Sequence, residues 1–405
     1  MKHRSASFDV VIIGAGLAGT TLAGGLARSG KSVALIDIHS VHPREFRGEK
    51  FGPEVMTAFE ELGWGSTVRD CVSVFDAVRV VHFGRLVETK HERAYSAYYS
   101  DLVNGLRSGL PNTIELTIGR VIGIELSSEI QTVRLKDEQE FKSRLVVLAT
   151  GLGEALLREA GVLRQVVNPR HSLVIGFDMA AHRECFPFVG LTYNPESYKH
   201  RTAYLTMFPV GDRMRANLFS YREPNEPWTK AFRANPEREL ALLMPRLRGH
   251  CPNLSVTGPV EIRSMDLVCT TGYDRDGIVL VGDAFQTACP ASGTGMFKVA
   301  TDVKRLASIH IPNWLATPGM SWSKIKAFYS DPVKRECDNA SMRSSLRERA
   351  INTDSSIVWS LLRSRRYFGR HAYYAQQRTV MALIKLLGAS SASKWISSSP
   401  PDFPV

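Results

Sequence analysis

Residues 8–19 read Phe8-Asp9-Val10-Val11-Ile12-Ile13-Gly14-Ala15-Gly16-Leu17-Ala18-Gly19, and the reading of this run decides the fold. Residues 9–13 carry a compact apolar block, Val10 to Ile13, short enough for a buried parallel strand. The block stops at glycine, and a helical pattern follows through Leu22, Leu26 and Arg28 until Gly30. Residues 33–36 make a second buried strand that stops at Asp37. A G-x-G-x-x-G dinucleotide fingerprint needs this strand–turn–helix–strand setting. Gly14 permits the tight turn, Gly16 lets the backbone approach a pyrophosphate, and Gly19 lets helix and strand pack closely. The helix start at Ala15, Leu17 and Ala18 presents free N–H groups and a partial positive charge to phosphate. Asp37 is placed to accept from the 2′- and 3′-hydroxyls of a ribose, with Ile38 beside it. The glycines alone would fit an ordinary turn; both strands, the helix and the acid together point to a dinucleotide.

The chain around this run has 405 residues, enough for two domains or for one domain with a large insertion. Its 44% hydrophobic and 22% charged residues are those of an ordinary globular protein. No apolar run approaches the roughly 20 residues of a membrane span. The basic start, Met1-Lys2-His3-Arg4, leads into a strand without a cleavage pattern, so export is not expected. The six cysteines are scattered with no C-x-x-C pair or histidine cluster, which argues against structural zinc and a disulfide framework. Reduced thiols in a cytoplasm fit better. A formal charge of +11 invites a nucleic-acid reading, but no nucleic-acid module is present and none is expected as a partner.

Along the chain, 39–53 is a polar loop containing Arg44, Arg47, Gly48, Glu49 and Lys50, after which Pro53 opens a helix ended by Gly63. Gly24 and Gly25 inside the first helix cost about 0.8–1 kcal/mol each against alanine, which is tolerable if that face packs tightly against the sheet. Residues 72–88 alternate as strands of a different sheet, with a turn at Gly84-Arg85. A helix is expected over 96–109, then strands at 113–118, 121–126, 132–135 and 145–149. Alternation returns between 172 and 268, with strands at 172–179, 204–208 and 215–221 and a helix at 236–247. A buried strand at 278–281 and a helix at 295–307 follow. The remainder from 311 to 387 reads as helical, ahead of a Ser/Pro tail expected to be loosely attached.

The late stretch Val279-Leu280-Val281-Gly282-Asp283-Ala284-Phe285-Gln286, followed by Pro290, Gly293, Gly295 and Asp302, sharpens the reading. Together with the first fingerprint it resembles the FAD-dependent monooxygenase family with the p-hydroxybenzoate hydroxylase fold. That family carries Gly-Asp after a strand, a proline seven residues past the Asp, a G-x-G three residues beyond, and an Asp in the ensuing helix. The resemblance covers roughly residues 9–307, the middle by element order alone. It implies an α/β fold: a Rossmann-like FAD-binding domain built from separated segments, an inserted antiparallel-sheet substrate domain, and C-terminal helices. The FAD-binding domain would take residues 1–71, 96–171 and 269–330. The substrate domain would take 72–95 and 172–268, leaving 331–405 as a helical region and tail.

The resemblance also implies roles. Asp283 would accept from the ribityl hydroxyls, and Gly293, Thr294, Gly295 and Met296 would bring a helix start to the flavin pyrimidine edge. Gly282 would turn the chain towards the cofactor, and Arg47 and Val121 would lie along it. Pro290, without an N–H and with φ fixed, would wall the reactive face as the candidate catalytic position. The implied activity is a monooxygenase, a hydroxylase or epoxidase, in which a flavin hydroperoxide acts on a small aromatic or alkene-containing substrate. NADPH or NADH would be the transient reductant, and dioxygen the co-substrate.

Several positions depart from the family pattern. Ala149-Thr150-Gly151 stands where the hydroxylases carry Ala-Asp-Gly, which puts direct NADPH use in doubt and leaves room for a separate flavin reductase. Gln286 and Phe297 replace a common His and Asn. Arg47-Gly48-Glu49-Lys50 with Pro53 looks closer to flavin-dependent halogenases, yet the W-x-W-x-I-P signature is absent. A reductase or dehydrogenase without oxygen transfer, a halogenase, and a degenerate flavin-binding interaction protein are the alternatives. Tyr204, Met207 and Phe219 are the candidate substrate contacts, with Tyr193, Phe208 and Tyr221 as further aromatics at strand spacing and His200 and Arg201 as polar ones. Arg343, Arg347, Arg349, Arg363, Arg365, Arg366 and Arg370 lie near Trp359, Leu361, Leu362, Tyr367 and Phe368. A basic amphipathic helix of that kind can lie on an anionic membrane, though a solvated face backing the flavin domain is the stronger reading.

Overall fold

The strand before the glycine turn runs from Ser5 to Ile13, and Val33–Asp37 pairs with it in parallel, Val10 opposite Val33 and Ile13 opposite Ile36. The computed structural model describes residues 5–365, 368, 369, 372 and 379. Glu140–Leu148 flanks the first strand on its other side, Glu115–Ile118 lies beyond Val33–Asp37, and Ile278–Leu280 pairs with the end of Glu140–Leu148. All these pairs are parallel. Val10, Val11, Ile12, Val146, Val147 and Val279 are fully buried, because helices cover one face of the sheet and the other packs against Val121, Ile124, Val133 and Leu135 with the short helix Ala155–Glu159. Val121–Glu125 and Gln131–Leu135 complete the sheet as an antiparallel meander.

The second sheet has seven strands, in the order Val256–Thr271, Leu163–His182, Arg213–Ser220, Thr202–Val210, Gly190–Asn194, Val78–His82, Arg85–Lys90. Gly190–Asn194 and Val78–His82 run parallel, so this sheet is mixed rather than purely antiparallel. The strand expected at 172–179 is part of a 20-residue strand. Its first half is exposed on both faces and so carries no alternation to betray it. Lys50–Phe51, Ala94–Ser96 and Ser73–Phe75 form a third small sheet that two- and three-residue strands could not announce.

The helix expected at 236–247 spans Pro236–Leu243, and an unexpected helix, Pro227–Ala234, precedes it; Pro236 cannot donate into that preceding helix but suits a first turn. Gly295–Arg305 continues through a π-helical turn, Leu306–His310, into Ile311–Leu315. Trp322–Tyr329 and the 22-residue helix Pro332–Thr353 follow; the Asp331 carboxylate caps the latter by accepting from Val333 N at 2.9 Å. Gly24 faces Trp64, not the sheet: a Cβ there would stand 2.0 Å from the indole ring. The indole itself is fully buried and donates to Thr21 O at 3.0 Å.

Among the described residues no helix is long and apolar enough to cross a membrane. On the helical stretch 357–365, Ile357, Val358 and Leu361 are exposed. Arg366, Tyr367, Arg370 and the Ser/Pro tail lie outside the described residues.

Candidate functional site

A cavity of about 960 Å³ opens at the carboxyl ends of the parallel strands and continues beneath the mixed sheet. Crevices at such strand ends are the usual ligand sites of α/β folds. Gly14, Gly16, Leu17, Ala18, Asp37 and Ile38 border one end of it. The three fingerprint glycines differ in what they do. At Gly14, φ is +105° and a Cβ would lie 2.5 Å from Ala149 O; at Gly19 a Cβ would lie 1.9 Å from Gly14 O. Those two are demanded by the packing of strand on helix. A Cβ on Gly16 would meet only the Tyr99 hydroxyl, at 3.7 Å, so the protein itself leaves that space open. The N-cap residue Gly16 offers no side chain to the helix Leu17–Arg28, and at the helix start Leu17 N donates to the Tyr99 hydroxyl at 3.4 Å.

Asp37 accepts from Ala15 N at 2.6 Å and from His39 N at 2.8 Å. It braces the glycine turn, and a carboxylate has lone pairs left for ribose hydroxyls. Ala15 and Gly19 are buried beneath the turn rather than on the cavity wall.

Arg47, Val121, Gly282 and Asp283 also border the cavity. Arg47 Nη1 donates to Asp283 Oδ2 at 3.1 Å and its Nε to Glu45 at 2.5 Å, while Arg164 holds the Asp283 carbonyl. Gly282 adopts φ +60° and donates its N–H to Asp302 Oδ2 at 3.0 Å. Pro290, Gly293, Gly295 and Met296 border the next stretch, Gly293 at φ +69°. The helix Gly295–Arg305 starts there, again without a side-chain cap. Thr294 is different. Its hydroxyl sits between Ser292 Oγ and Ser341 Oγ, 2.8 Å from each, turned away from the cavity.

Behind this helix lies a cluster that sequence reasoning missed apart from Asp302. Lys334 Nζ donates to Asp302 at 2.8 Å and to Asp338 at 3.0 Å, and Lys298 pairs with the same two carboxylates at 3.5 and 3.1 Å. All four side chains are buried or nearly so. Burial pushes the Asp302 carboxyl up, but the facing Lys298 and Lys334 prevail and hold it below the usual range. The i,i+4 spacings 298/302 and 334/338 were visible, but not that the two helices meet.

The substrate-side expectations divide. Tyr204 and Phe219 border the cavity with ring centroids 4.8 Å apart, and Tyr204 donates to Ala291 O at 2.6 Å, tying the mixed sheet to the Pro290–Ser292 turn. Phe208 also borders it. Met207 does not: it is 1% exposed and packs on the opposite face, in a core with Leu191, Phe177 and Phe186, as the period of two requires of an odd-numbered neighbour. Tyr193 and Tyr221 are buried away from the cavity, bonded to Glu196 and Cys289. Arg201 is held bidentately by Glu226, and neither it nor His200 borders the cavity.

A second buried network joins the 44–50 loop to the mixed sheet. Arg215, fully buried, donates to Glu49 at 2.9 and 3.1 Å and to Glu261 at 2.6 Å, with Asp178 at 3.4 Å. Its guanidinium lies 5.1 Å from the Phe46 ring centroid, and Gly176 lacks the Cβ that would strike both. Next in the chain, the half-buried Lys50 faces the cavity over Phe75, 5.8 Å from the ring centroid. Among the described residues no group of His, Cys, Asp or Glu is arranged to hold a metal ion, and the six cysteines are unpaired.

Residues 7–103 match a family model described as "FAD binding domain". Squalene epoxidase erg1 of Aspergillus fumigatus is 36% identical over 103 residues, 25% of this chain and 18% of the epoxidase. The chain thus spans less than a fifth of that relative. A 3-demethoxyubiquinol 3-hydroxylase of Escherichia coli K12 is 22% identical over 84% of this chain and 88% of the hydroxylase. The crystal structure of p-nitrophenol 4-monooxygenase PnpA from Pseudomonas putida DLL-E4 superposes with a TM-score of 0.73, at 13% identity, over 95% of this chain and 99% of that one. Flavin-dependent halogenases share the fold as well. The chain carries an FAD-binding domain within the fold of the flavin monooxygenases.

Proposed function

We propose that this FAD-binding protein is a monooxygenase that inserts one oxygen atom of dioxygen into an aromatic or alkene-containing small molecule. The observation that carries the reading is the single cavity. It runs from the glycine turn, past Asp283, to the Pro290–Gly295 turn and on under Tyr204 and Phe219. A dinucleotide fits the first part of that path, and a substrate the last.

In this reading Gly16 and the helix start take the pyrophosphate, Asp37 the adenosine ribose, and Asp283 the ribityl chain. Arg47 pairs with Asp283 and adds positive charge along the cofactor. The start of Gly295–Arg305 directs N–H groups and its dipole to the pyrimidine edge, where negative charge has to be stabilised on reduction. The buried Lys298–Asp302–Lys334–Asp338 cluster fixes that helix against Gly282. Pro290 walls the reacting face, and the Tyr204–Ala291 bond keeps the substrate side closed to water. FAD, when bound and reduced, supplies the activation of dioxygen.

Thr150, bordering the cavity where the hydroxylases carry an acid, favours reduction by a separate flavin reductase over direct use of NADPH or NADH. A cytoplasmic location and peripheral contact of the basic 357–365 helix with anionic lipid belong to the same reading. The test is product analysis: reduced protein is mixed with labelled dioxygen and a panel of aromatic and alkene substrates. One labelled oxygen atom per product is expected. A product that has gained hydrogen, or oxygen from water, would sink the proposal in favour of a reductase or dehydrogenase.

A further inference from the structure

Lys298, Lys334 and Arg215 are buried cations, and each is held by two or more carboxylates. Lys50 breaks that pattern. Its side chain is half-buried on the cavity wall, yet among the described residues it makes no ion pair; its one neighbour of note is the Phe75 ring. The carboxylate next to it in the chain, Glu49, is turned away onto Arg215. The cavity wall on this side carries Val78, Val80, Val87 and Phe208, with Glu88 and Glu92 as its carboxylates and Lys90 and Arg93 as further cations. Removing an amine from water without an acceptor costs free energy, so a cation in this position calls for a negative or acidic partner from outside.

We propose that Lys50 binds the substrate through an acidic oxygen, a carboxylate or a phenol-type hydroxyl, so that the substrate is an apolar body with one such group. The inference rests on the functional reading above and names its substrate class. A carboxylate pairs directly with the ammonium form. With a phenol, the O–H bond breaks and an N–H bond forms on the neutral amine, which leaves the same ammonium–oxyanion pair. Burial first, and then Lys90, pull the Lys50 amine down to about 8 against Glu92, so both forms are accessible near neutrality. The strand Lys50–Phe51 is paired with Ala94–Ser96, and Glu49 is clamped by Arg215. The amine is therefore carried on a braced backbone, as a specificity contact requires.

The experiment uses the full chain loaded with FAD and three probes that share one ring system: 2-naphthoate, 2-naphthol and 2-methylnaphthalene. Binding is read from the visible absorbance of the bound flavin and from thermal shift. Naphthoate is expected to bind the parent protein at least about tenfold more tightly than methylnaphthalene. Alternatively, naphthol shows its phenolate absorbance in the complex. The first result identifies a carboxylate substrate, the second a phenolic one. Lys50→Met removes the preference and leaves methylnaphthalene binding and FAD retention unchanged, whereas Lys50→Arg keeps the naphthoate preference. The assignment is overturned if the parent protein shows neither signature, if it binds none of the probes, or if Lys50→Met weakens all three alike. The parent's preference is read without any variant, so misfolding of Lys50→Met does not rescue the idea. A preserved naphthoate preference without oxygen transfer would sink the monooxygenase reading and leave this one standing.

Discussion

At the scale of single residues, the three fingerprint glycines separate what the fold needs from what a ligand needs. Gly19→Ala drives a Cβ into Gly14 O, and the backbone cannot yield. A loss of roughly 2–3 kcal/mol in unfolding free energy is expected, within the range for overpacked sites. Gly16→Ala meets nothing closer than 3.7 Å, so stability stays within about 0.5 kcal/mol while FAD affinity falls at least about tenfold. Denaturant melts and flavin titration on the two variants check this, and equal loss of stability in both would contradict it. Asp283 and Tyr204 make a second contrast. Asp283→Ala should release FAD on gel filtration, while Tyr204→Phe, which loses the bond to Ala291 O, should retain it. Equal retention would remove Asp283 from its assigned role.

At the scale of elements, the long helix Pro332–Thr353 is docked on two sides. Lys334 and Asp338 engage Lys298 and Asp302 on one. On the other, His171 from the strand Leu163–His182 contacts Ser345 O at 3.2 Å. Burial, then Arg349, pull the His171 imidazole down to about 4, so it is neutral in the folded protein. The unfolded chain binds that proton near pH 6.5. Stability contributed by neutral His171 is therefore full above pH 6.5 and declines as pH falls towards 4, by roughly 2–3 kcal/mol over that window. His171→Phe should flatten this part of the pH–stability curve. A parent curve with no decline between pH 6.5 and 4 would count against it. Asp302→Asn leaves two buried lysines facing one carboxylate and should cost about 3–5 kcal/mol.

At the scale of the whole molecule, Arg215 links the loop after the second parallel strand to the mixed sheet, and so couples the dinucleotide end of the cavity to its roof. Arg215→Met would strand Glu49, Asp178 and Glu261 together, and unfolding is expected to become easier by at least about 3 kcal/mol. Added FAD should stabilise the parent protein by about 2.7 kcal/mol at a hundredfold excess over its Kd, read as a rise in Tm. A colourless protein whose Tm ignores FAD would defeat the flavin assignment altogether.

What the sequence by itself determined is local and periodic. Continuous apolar runs at 10–13 and 145–148 read as strands buried on both faces, and Gly14, Gly16 and Gly19 between strand and helix, with Asp37 after the next strand, read as a dinucleotide turn. Gly282, Asp283, Pro290 and Gly293 were legible in another way, through the resemblance of their spacing to a family motif. The exposed first half of Leu163–His182, the three-stranded sheet at Lys50–Phe51, and the outward or inward turn of Met207 were not legible. Those depend on which strand lies alongside, and no pattern within one segment carries that information. The pairing of Lys298 with Asp338, the clamp of Glu49 by Arg215, and the ion-pair-free state of Lys50 were decided only when distant segments met. A charge finds or lacks its partner in space. The glycine turn near the start of the chain marks where a dinucleotide is proposed to dock, while the groups proposed to face a substrate are brought together only by the tertiary fold.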